Sequence, residues 1–250
     1  MSEYPPSHNL LAGKTVVVTA AAGTGIGYAT AKRCVEEGAR VLVSDAHERR
    51  LGEAAESLGV PGVVCDVTDQ TSVDRLFARS LEELGSVDVL VNNAGLGGTV
   101  DLVDMTDEQW AKVIDVTLTG TFRCTRAALR IMCAAGAGVI VNNASVLGWR
   151  AQAGQAHYAA AKAGVMALTR SAALEAAPHG VRVNAVSPSL AMHPFLSKVI
   201  AEEELAQLAS REAFGRAAEP WEVANVIVFL ASDYSGYMTG EVVSVSSQHP

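Results

Sequence analysis

The feature that most constrains the fold is a regular alternation of short β-branched runs with longer, alanine-rich segments of helical period. Alternation of this kind predicts parallel strands joined by right-handed crossover helices. Runs such as VVVT and VLVS are apolar throughout, as expected for strands buried on both faces. The sequence therefore predicts an α/β fold, a doubly wound seven-stranded parallel sheet with helices on both faces. The predicted strands are 15–19, 40–45, 62–65, 88–92, 138–142, 181–186 and 242–245, and the predicted helices begin near residues 25, 49, 69, 107, 157 and 220.

The length of 250 residues suits one large α/β domain. Residues 1–11 are predicted to be a polar N-terminal arm, and residues 12–250 to form the domain. The alternation breaks between residues 188 and 219, where a helical segment at 195–210 stands in place of a strand. This stretch is predicted to be a mobile substrate lid.

Composition excludes several classes of protein. A net charge of −8 and a pI near 5.2 argue against binding to nucleic acid, which needs a basic surface. No run of about 18 residues is free of polar interruption, so no membrane span is predicted. The start MSEYPPSHNL lacks the basic and apolar regions of a secretory signal, and a cytoplasmic location is expected. The four cysteines form no CxxC pair and no zinc-like spacing, so they are expected to be reduced, with no metal site.

A cluster of small residues, TAAAGTGIG, follows the first predicted strand and opens the first helix. Small residues there let backbone N–H groups and the helix N-terminus approach a pyrophosphate, although a plain tight turn has a similar composition. Asp45 ends the second strand 18 residues after Gly27, the place of an acid that binds an adenosine ribose. Its carboxylate would repel a 2′-phosphate and favours NAD over NADP, unless Arg49 or Arg50 reaches round to that phosphate. The cofactor-binding candidates of this loop are Thr19, Gly23, Thr24, Gly25, Ile26 and Gly27.

Polar residues also follow the third and fourth strands, at the carboxyl edge where open α/β sheets bind ligands. The third strand ends in Asp66-Val67, and the fourth in Asn92-Asn93-Ala94-Gly95. Asp66 could equally cap its loop, and the two asparagines could equally form a turn.

The residues with the clearest chemistry are Ser145, Tyr158 and Lys162. Tyr158 and Lys162 are four residues apart and therefore share one face of a helix. Ser145 ends the fifth strand, at the ligand edge just before that helix. A tyrosine with its ordinary pKa of about 10 is a poor base at neutral pH, but a nearby ammonium favours its phenolate.

This serine, tyrosine and lysine, in their order and spacing, together with the glycine loop and the NNAG motif, resemble the short-chain dehydrogenase/reductase family. The resemblance covers residues 12–247. It implies a single Rossmann-like catalytic domain over residues 12–250, with strand order 3-2-1-4-5-6-7 and a nicotinamide cofactor. It also implies a homotetramer built on the helices that follow Asp107 and His157.

The resemblance implies a role for each matching residue. Tyr158 would be the catalytic acid/base, Lys162 would hold the ribose and tune Tyr158, and Ser145 would orient the reacting oxygen. Asp66 would hold the adenine and Asn92 would support the central strand. The further cofactor contacts that the resemblance implies are Val67, Asn93, Ala94, Gly95, Pro188 and His193.

The chain departs from the family pattern in three places. Its glycine loop is one residue longer than the usual TGxxxGIG and lacks the first glycine. Thr117 stands where the family carries a catalytic asparagine, and because a hydroxyl can still hold a water, Thr117 is a fourth catalytic candidate. After Pro188, Ser189 and His193 replace the usual glycine and threonine. His193 is either a donor to the nicotinamide carboxamide or an ordinary lid histidine.

The stretches VNNASVLGWRAQ and AFGRAAEPWEVA resemble a bacterial branch of this family that acts in steroid-ring degradation. That likeness implies NAD-dependent interconversion of a secondary alcohol and a ketone on a steroid-derived indane propanoyl-CoA, in cholesterol or steroid catabolism. Trp149 could instead pack between subunits, and Arg150 could pair with a surface acid. The residues predicted to contact this acyl-CoA substrate are Leu147, Trp149, Arg150, Leu190 and Phe195.

Two other functions remain open. One is a 3-oxoacyl-type reductase that uses NADPH, against which Asp45 speaks. The other is a non-catalytic binding protein that senses a dinucleotide. Thr117 points to this alternative, and the presence of Ser145, Tyr158 and Lys162 argues against it.

Overall fold

The computed structural model describes residues 3–192 and 202–247, apart from the side chains of residues 202–205, and this part of the chain contains one seven-stranded parallel sheet. The strands are β1 Thr15–Val18, β2 Arg40–Asp45, β3 Gly62–Val64, β4 Val89–Asn92, β5 Gly138–Asn143, β6 Val181–Pro188 and β7 Val242–Val245. Their order across the sheet is β3-β2-β1-β4-β5-β6-β7. The predicted fold class and strand order are confirmed, and no strand end differs from its predicted position by more than two residues.

Helices connect the strands and cover both faces of the sheet. They are α1 Ile26–Glu36, α2 Glu48–Leu58, α3 Gln70–Leu84, α4 Asp107–Ile114, α5 Gly120–Ala135, α6 Ala156–Ala176, α7 Glu202–Ser210 and α8 Pro220–Ala231. Side-chain caps fix two of the starts: Asp69 accepts from the first backbone N–H groups of α3, and Thr106 forms a capping box with Gln109. The predicted helix starts are therefore correct to within one residue.

Each face of the sheet has its own apolar core, because successive strand residues point to opposite sides. Val17 packs with side chains of α3 and α5 on one face. Its neighbours Val16 and Val18 pack with side chains of α1 and α8 on the other. Burial on both faces explains the continuous apolar runs that the sequence shows.

A buried polar network crosses the first of these cores. The Nδ2 of Asn92, at the end of β4, donates to Thr125 Oγ1 of α5 at 3.0 Å and to Asn142 Oδ1 of β5 at 2.9 Å. The Nδ2 of Asn142 donates to Thr169 Oγ1 of α6 at 2.9 Å, and Thr169 in turn donates to the Val165 carbonyl. All of these polar side chains are buried, so the bonds fix how α5 and α6 seat on the sheet.

The helix predicted from residue 107 is interrupted by a π-helical turn at Asp115–Thr119. Thr117 is fully buried there, and its hydroxyl bonds to the backbone of Leu96, while its carbonyl accepts from Thr121 Oγ1 at 2.8 Å. Because the break depends on a tertiary contact with Leu96, the local helical pattern did not predict it.

The N-terminal arm is docked against α1 and α8. Arg33 of α1 donates to the carbonyls of Pro5 and Pro6 at 2.6 and 2.9 Å and pairs with Glu37 at 2.5 Å. Tyr4 stacks edge-on against Trp221 of α8, with the ring centroids 5.4 Å apart. The arm is thus held by the buried ion pair of Arg33 and Glu37 and by the hydrogen bonds that Arg33 donates to it.

A membrane-spanning helix and a metal-type cluster of side chains are both absent from the described residues. None of the helices there is long and apolar enough to cross a bilayer. No group of three or more histidine, cysteine, aspartate or glutamate residues there could hold a metal ion. All four cysteines are free thiols, three of them buried and Cys133 half-buried.

Glu37→Gln is expected to lower the free energy of unfolding by about 3 kcal/mol at neutral pH, because it leaves the buried Arg33 guanidinium without its charged partner. Burial alone would raise the pKa of Glu37, but N–H donors from Leu10 and His8 and the charge of Arg33 lower it overall. A carboxyl with a lowered folded pKa stabilises above its unfolded pKa, and this contribution is lost as the pH falls through the folded value. The difference between the two proteins should therefore shrink in acid, which urea denaturation at several pH values would measure.

The matched control is Glu53→Gln, which removes an exposed i,i+4 pair with Arg49. That loss should be below about 0.5 kcal/mol. Equal losses for the two variants would contradict the role of the buried pair.

Candidate active site

The loop after β1 is tied to the end of β4, where the strand order of the sheet reverses. The Thr19 hydroxyl accepts from the backbone N–H groups of Asn93 and Ala94 at 3.0 and 3.3 Å. It also lies 3.4 Å from the Val91 carbonyl, to which it donates. This is the topological switch point, the place where doubly wound sheets bind nucleotides.

The start of α1 is shaped to receive an anion. The N-cap residue is Gly25, and no side chain caps the helix, so its first N–H groups stay available. A Cβ on Gly27 would lie 2.4 Å from the Ala20 carbonyl oxygen, so only glycine fits. Gly23 has φ +96° and open space around it. Thr24 is exposed in the same turn, and these features fit a dinucleotide pyrophosphate.

Ala20 adopts a left-handed backbone with φ +50°, where the family motif carries its first glycine. This conformation costs an alanine about 1–2 kcal/mol. The Ala20 carbonyl accepts from Asn93 Nδ2 at 2.9 Å, a bond that holds the loop in this shape. The loop therefore keeps a glycine-like path without the glycine.

Asp45 ends β2 beside this loop, half-buried. Its Oδ2 accepts from Ala22 N at 3.2 Å and its Oδ1 from His47 N at 2.9 Å. Each oxygen keeps a further lone pair for a ribose hydroxyl. Arg49, which could have turned to a 2′-phosphate, pairs with Glu53 at 2.6 Å.

Asp66 and Val67 follow β3. Asp66 is exposed, and its Oδ1 accepts from both the backbone N–H and the hydroxyl of Thr68. Val67 is buried against Gly120, and a Cβ added to Gly120 would lie 2.6 Å from Val67 Cγ2. Asp66 therefore caps its loop, as one interpretation of the sequence held, and its contact with an adenine stays a prediction.

Ser145, Tyr158 and Lys162 come together at the carboxyl edge. Lys162 Nζ lies 5.6 Å from the centre of the Tyr158 ring and donates to the main-chain oxygen of Asn143 at 2.5 Å. Ser145 lies two residues beyond the last pair of β5, and its side chain acts to lower the pKa of the Tyr158 phenol. A Cβ on Gly95 would sit 3.3 Å from Lys162 Nζ, so the NNAG turn packs closely over the lysine.

Burial moves both titrating groups of the trio. It raises the pKa of Tyr158, partly offset by the hydrogen bond with Ser145, so the phenol is neutral in this state. Burial lowers the pKa of Lys162 to about 8. Among the described residues, no carboxylate pairs with this ammonium. The arrangement brings a phenol that can give up a proton next to an amine that titrates near neutral pH.

Thr117 is next to this trio, but its hydroxyl is already engaged. It accepts from Leu96 N at 3.0 Å and donates to Leu96 O at 3.2 Å. Its Cγ2 and Lys162 Nζ both flank Gly95. The hydroxyl therefore holds the loop above the lysine, and its expected role in proton transfer stays a prediction.

The β5 side of the cleft carries three of the predicted substrate residues. Leu147 lies half-buried in a 3₁₀ turn, and Trp149 follows it with 52% of its surface exposed. Arg150 is half-buried beside them. Their contact with a bulky ring bearing an anionic tail stays a prediction.

Main-chain hydrogen bonds join the two ends of the segment that is predicted to be a lid. Ala218 N donates to Leu190 O at 2.8 Å, and Met192 N donates to Ala218 O at 2.8 Å. Pro188 ends β6 beside Val245. Two further candidates, His193 and Phe195, lie outside the described residues.

Asn143 was missed by the sequence analysis. Its main chain holds Lys162, and its side-chain Nδ2 donates to Asn93 Oδ1 at 2.9 Å. The available signal was a second polar residue at the end of an otherwise apolar strand, directly before Ala144 and Ser145.

Comparisons with known proteins place these features in context. A family model described as enoyl-(acyl carrier protein) reductase matches residues 20–247. The chain is 64% identical over 250 residues to the (5R,7aS)-5-hydroxy-7a-methyl-1-oxo-2,3,5,6,7,7a-hexahydro-1H-indene-carboxyl-CoA reductase of Mycobacterium tuberculosis, covering 97% of this chain and 95% of the relative. It is 44% identical over 240 residues to the cis-4-hydroxycyclohexanecarboxylate dehydrogenase of Sinomonas cyclohexanicum, covering 94% and 95%. A crystal structure of a short chain dehydrogenase from Mycobacterium smegmatis superposes with a TM-score of 0.89 at 58% identity, covering 100% of this chain and 98% of the other.

Lys162→Met is expected to raise the free energy of unfolding by roughly 1–3 kcal/mol at neutral pH, because it removes a buried ammonium for which the described residues provide no acidic partner. A lysine whose folded pKa lies below its unfolded value of about 10.4 destabilises the protein fully below the folded pKa. This cost fades as the pH rises from about 8 toward the unfolded value. Chemical denaturation between neutral and alkaline pH would follow the change.

Lys112→Met, at an exposed lysine of α4, is the matched control and should change stability little. A Lys162→Met protein less stable than the parent at neutral pH would show that the ammonium is stabilising after all.

Proposed function

This chain belongs to the short-chain dehydrogenase/reductase family, and on that premise we propose that it interconverts a secondary alcohol and a ketone on the ring of a steroid-derived bicyclic acyl-CoA. The observation that carries the proposal is the meeting of Ser145, Tyr158 and Lys162 beside the open N-terminus of α1. A proton-transfer group and a dinucleotide cradle at one sheet edge are what alcohol–ketone interconversion needs.

The proposed substrate class follows from the relatives. The indene-carboxyl-CoA of the mycobacterial relative and the indane propanoyl-CoA that the sequence predicts share a hydroxylated bicycle and a thioester. The Sinomonas relative is named for a ring hydroxyl too. The apolar side chains of Leu147 and Trp149, with Arg150 next in the chain, suit a ring with an anionic tail. An acyl-CoA substrate is consistent with the cytoplasmic location that the sequence predicts.

The chain's own residues would handle the proton. In alcohol oxidation, Tyr158 Oη takes the hydroxyl proton of the substrate, and Ser145 Oγ holds the same oxygen in place. The Lys162 ammonium stabilises the phenolate form of Tyr158, which burial alone disfavours. A bound nicotinamide dinucleotide would supply or accept the hydride. Reduction uses the same groups in reverse.

NAD is the proposed cofactor. The Asp45 carboxylate at the end of β2 can accept hydrogen bonds from the ribose hydroxyl groups, and its charge would repel a 2′-phosphate. Arg49 is paired with Glu53. Both observations weigh against the alternative of an NADPH-dependent 3-oxoacyl-type reductase.

We also propose the homotetramer that the family resemblance implies. A groove of about 490 Å³ lies between α5 and α6, lined with apolar side chains that include Phe122, Leu129 and Leu168. On the outward side of α6, Leu174 is 79% exposed. A second copy of the chain would cover this surface.

Tyr158→Phe is expected to lower kcat for the hydroxylated indene acyl-CoA about 10²–10⁴-fold, because the proton acceptor is lost while the ring remains. Absorbance of reduced nicotinamide would measure turnover, with Tyr234→Phe, at a tyrosine 79% exposed, as the control. Turnover unchanged by Tyr158→Phe would reject the mechanism. Binding of NADH with no turnover of any alcohol by the parent protein would instead favour the dinucleotide-sensing alternative.

Asp45→Asn is expected to weaken NAD binding roughly tenfold or more and to improve NADP binding, because the charge is lost and the single amide oxygen can replace only one of the two acceptors that serve Ala22 N and His47 N. Comparison of kcat/KM for the two dinucleotides measures the shift, and Asp74→Asn on the surface of α3 is the control. A parent protein that prefers NADP would overturn the choice of cofactor.

A further inference from the structure

Two asparagine side chains connect the dinucleotide loop to the residue that holds Lys162. Asn143 Nδ2 donates to Asn93 Oδ1 at 2.9 Å, and Asn93 Nδ2 donates to the Ala20 carbonyl at 2.9 Å. The main-chain oxygen of the same Asn143 accepts from Lys162 Nζ at 2.5 Å. One residue thus contacts both the catalytic lysine and, through one intermediary, the cofactor loop.

The direction of these bonds is fixed by the backbone. The Ala20 carbonyl can only accept, so Asn93 must turn its Nδ2 toward it. The Asn93 Oδ1 then faces Asn143, which must also present its Nδ2. A reversal of either amide would set two acceptors against each other, so each amide has a single orientation.

This arrangement leaves a group unsatisfied. Within the described part of the chain, the buried Oδ1 of Asn143 has no hydrogen-bond partner. An unpaired buried acceptor costs about 1–3 kcal/mol. An apolar side chain of similar shape would avoid this cost, and of the two polar atoms of the Asn143 amide only the donor makes a hydrogen bond within the described residues.

The donor is needed because of Ala20. An alanine at φ +50° is strained, and among the described residues its carbonyl is held by the bond from Asn93. Helix α1 packs directly on this bond, since a Cβ on Gly27 would lie 2.5 Å from Asn93 Nδ2. A shift of the Asn93 amide would therefore displace both the loop and the start of α1.

We propose that Asn143 is a positioning residue that keeps the dinucleotide loop in its binding conformation through Asn93 and Ala20. The inference rests on the proposed function, because it takes that loop to bind a nicotinamide dinucleotide. Loss of the Asn143 amide loosens the loop without touching the ligand.

The test is the dissociation constant for NADH, measured by fluorescence on the full-length protein, together with the melting temperature. Asn143→Leu, which is close in shape, is expected to raise the dissociation constant about 5- to 10-fold, the equivalent of one neutral hydrogen bond. Its melting temperature should stay close to that of the parent, because the unpaired carbonyl is removed as well. Asn143→Ser, which is too short to reach Asn93, should weaken binding similarly and serves if the leucine variant does not fold.

Asn225→Leu is the matched control, because Asn225 on α8 also has a buried, unpartnered Oδ1, and no hydrogen bond given for the described residues joins it to Ala20 or Asn93. It should bind NADH like the parent. If Asn143 acts through Asn93, the double variant Asn93→Ala/Asn143→Leu should bind NADH no more weakly than Asn93→Ala alone.

The outcomes separate the two proposals. A parent protein that does not bind NADH would refute the proposed function. A parent that binds NADH, with Asn143→Leu binding equally well or with the effects of Asn93→Ala and Asn143→Leu simply adding, would overturn the positioning role.

Discussion

The buried hydrogen bonds from Asn92 through Asn142 to Thr169 are the constraint on which the rest of the site depends. They cross from β4 through β5 to α6 inside an apolar core, where an unmade bond is costly, so they admit one register and one rotation of α6. Thr169 lies seven residues after Lys162, on the same face of that helix. Fixing Thr169 against the sheet therefore also directs Lys162 and Tyr158 to the carboxyl edge.

Given that register, the electrostatics of the site follow from its position. Lys162 is buried beside main-chain oxygens and has no acidic partner in the described part of the chain, so burial sets its pKa near neutrality. Tyr158 is pushed in the opposite direction by the same burial. Because the ordinary pKa values of tyrosine and lysine are close, at about 10 and about 10.4, the two shifts move the pKa values of phenol and amine apart. The phenol then holds its proton more tightly than the amine, and the amine is the group of the two that titrates nearer neutral pH.

Features that depend on local pattern were predictable from the sequence. Apolar runs such as VVVT gave the strands, and the four-residue spacing of Tyr158 and Lys162 gave their shared helix face. Features that depend on contacts between distant segments were not predictable. The π turn needs Thr117 to meet Leu96, and the amide pair needs Asn143 to meet Asn93, fifty residues away. The arm was predicted as polar, but its docking needs Arg33 and Glu37 to be buried together, which an i,i+4 spacing on a helix does not specify.

The left-handed Ala20 also makes the loop depend on its neighbours. A glycine at this position would adopt the same backbone without strain, whereas the alanine relies on the amide of Asn93, which Asn143 in turn holds. Positions 20, 93 and 143 are therefore energetically coupled, and the cost of changing one of them depends on which residues occupy the other two.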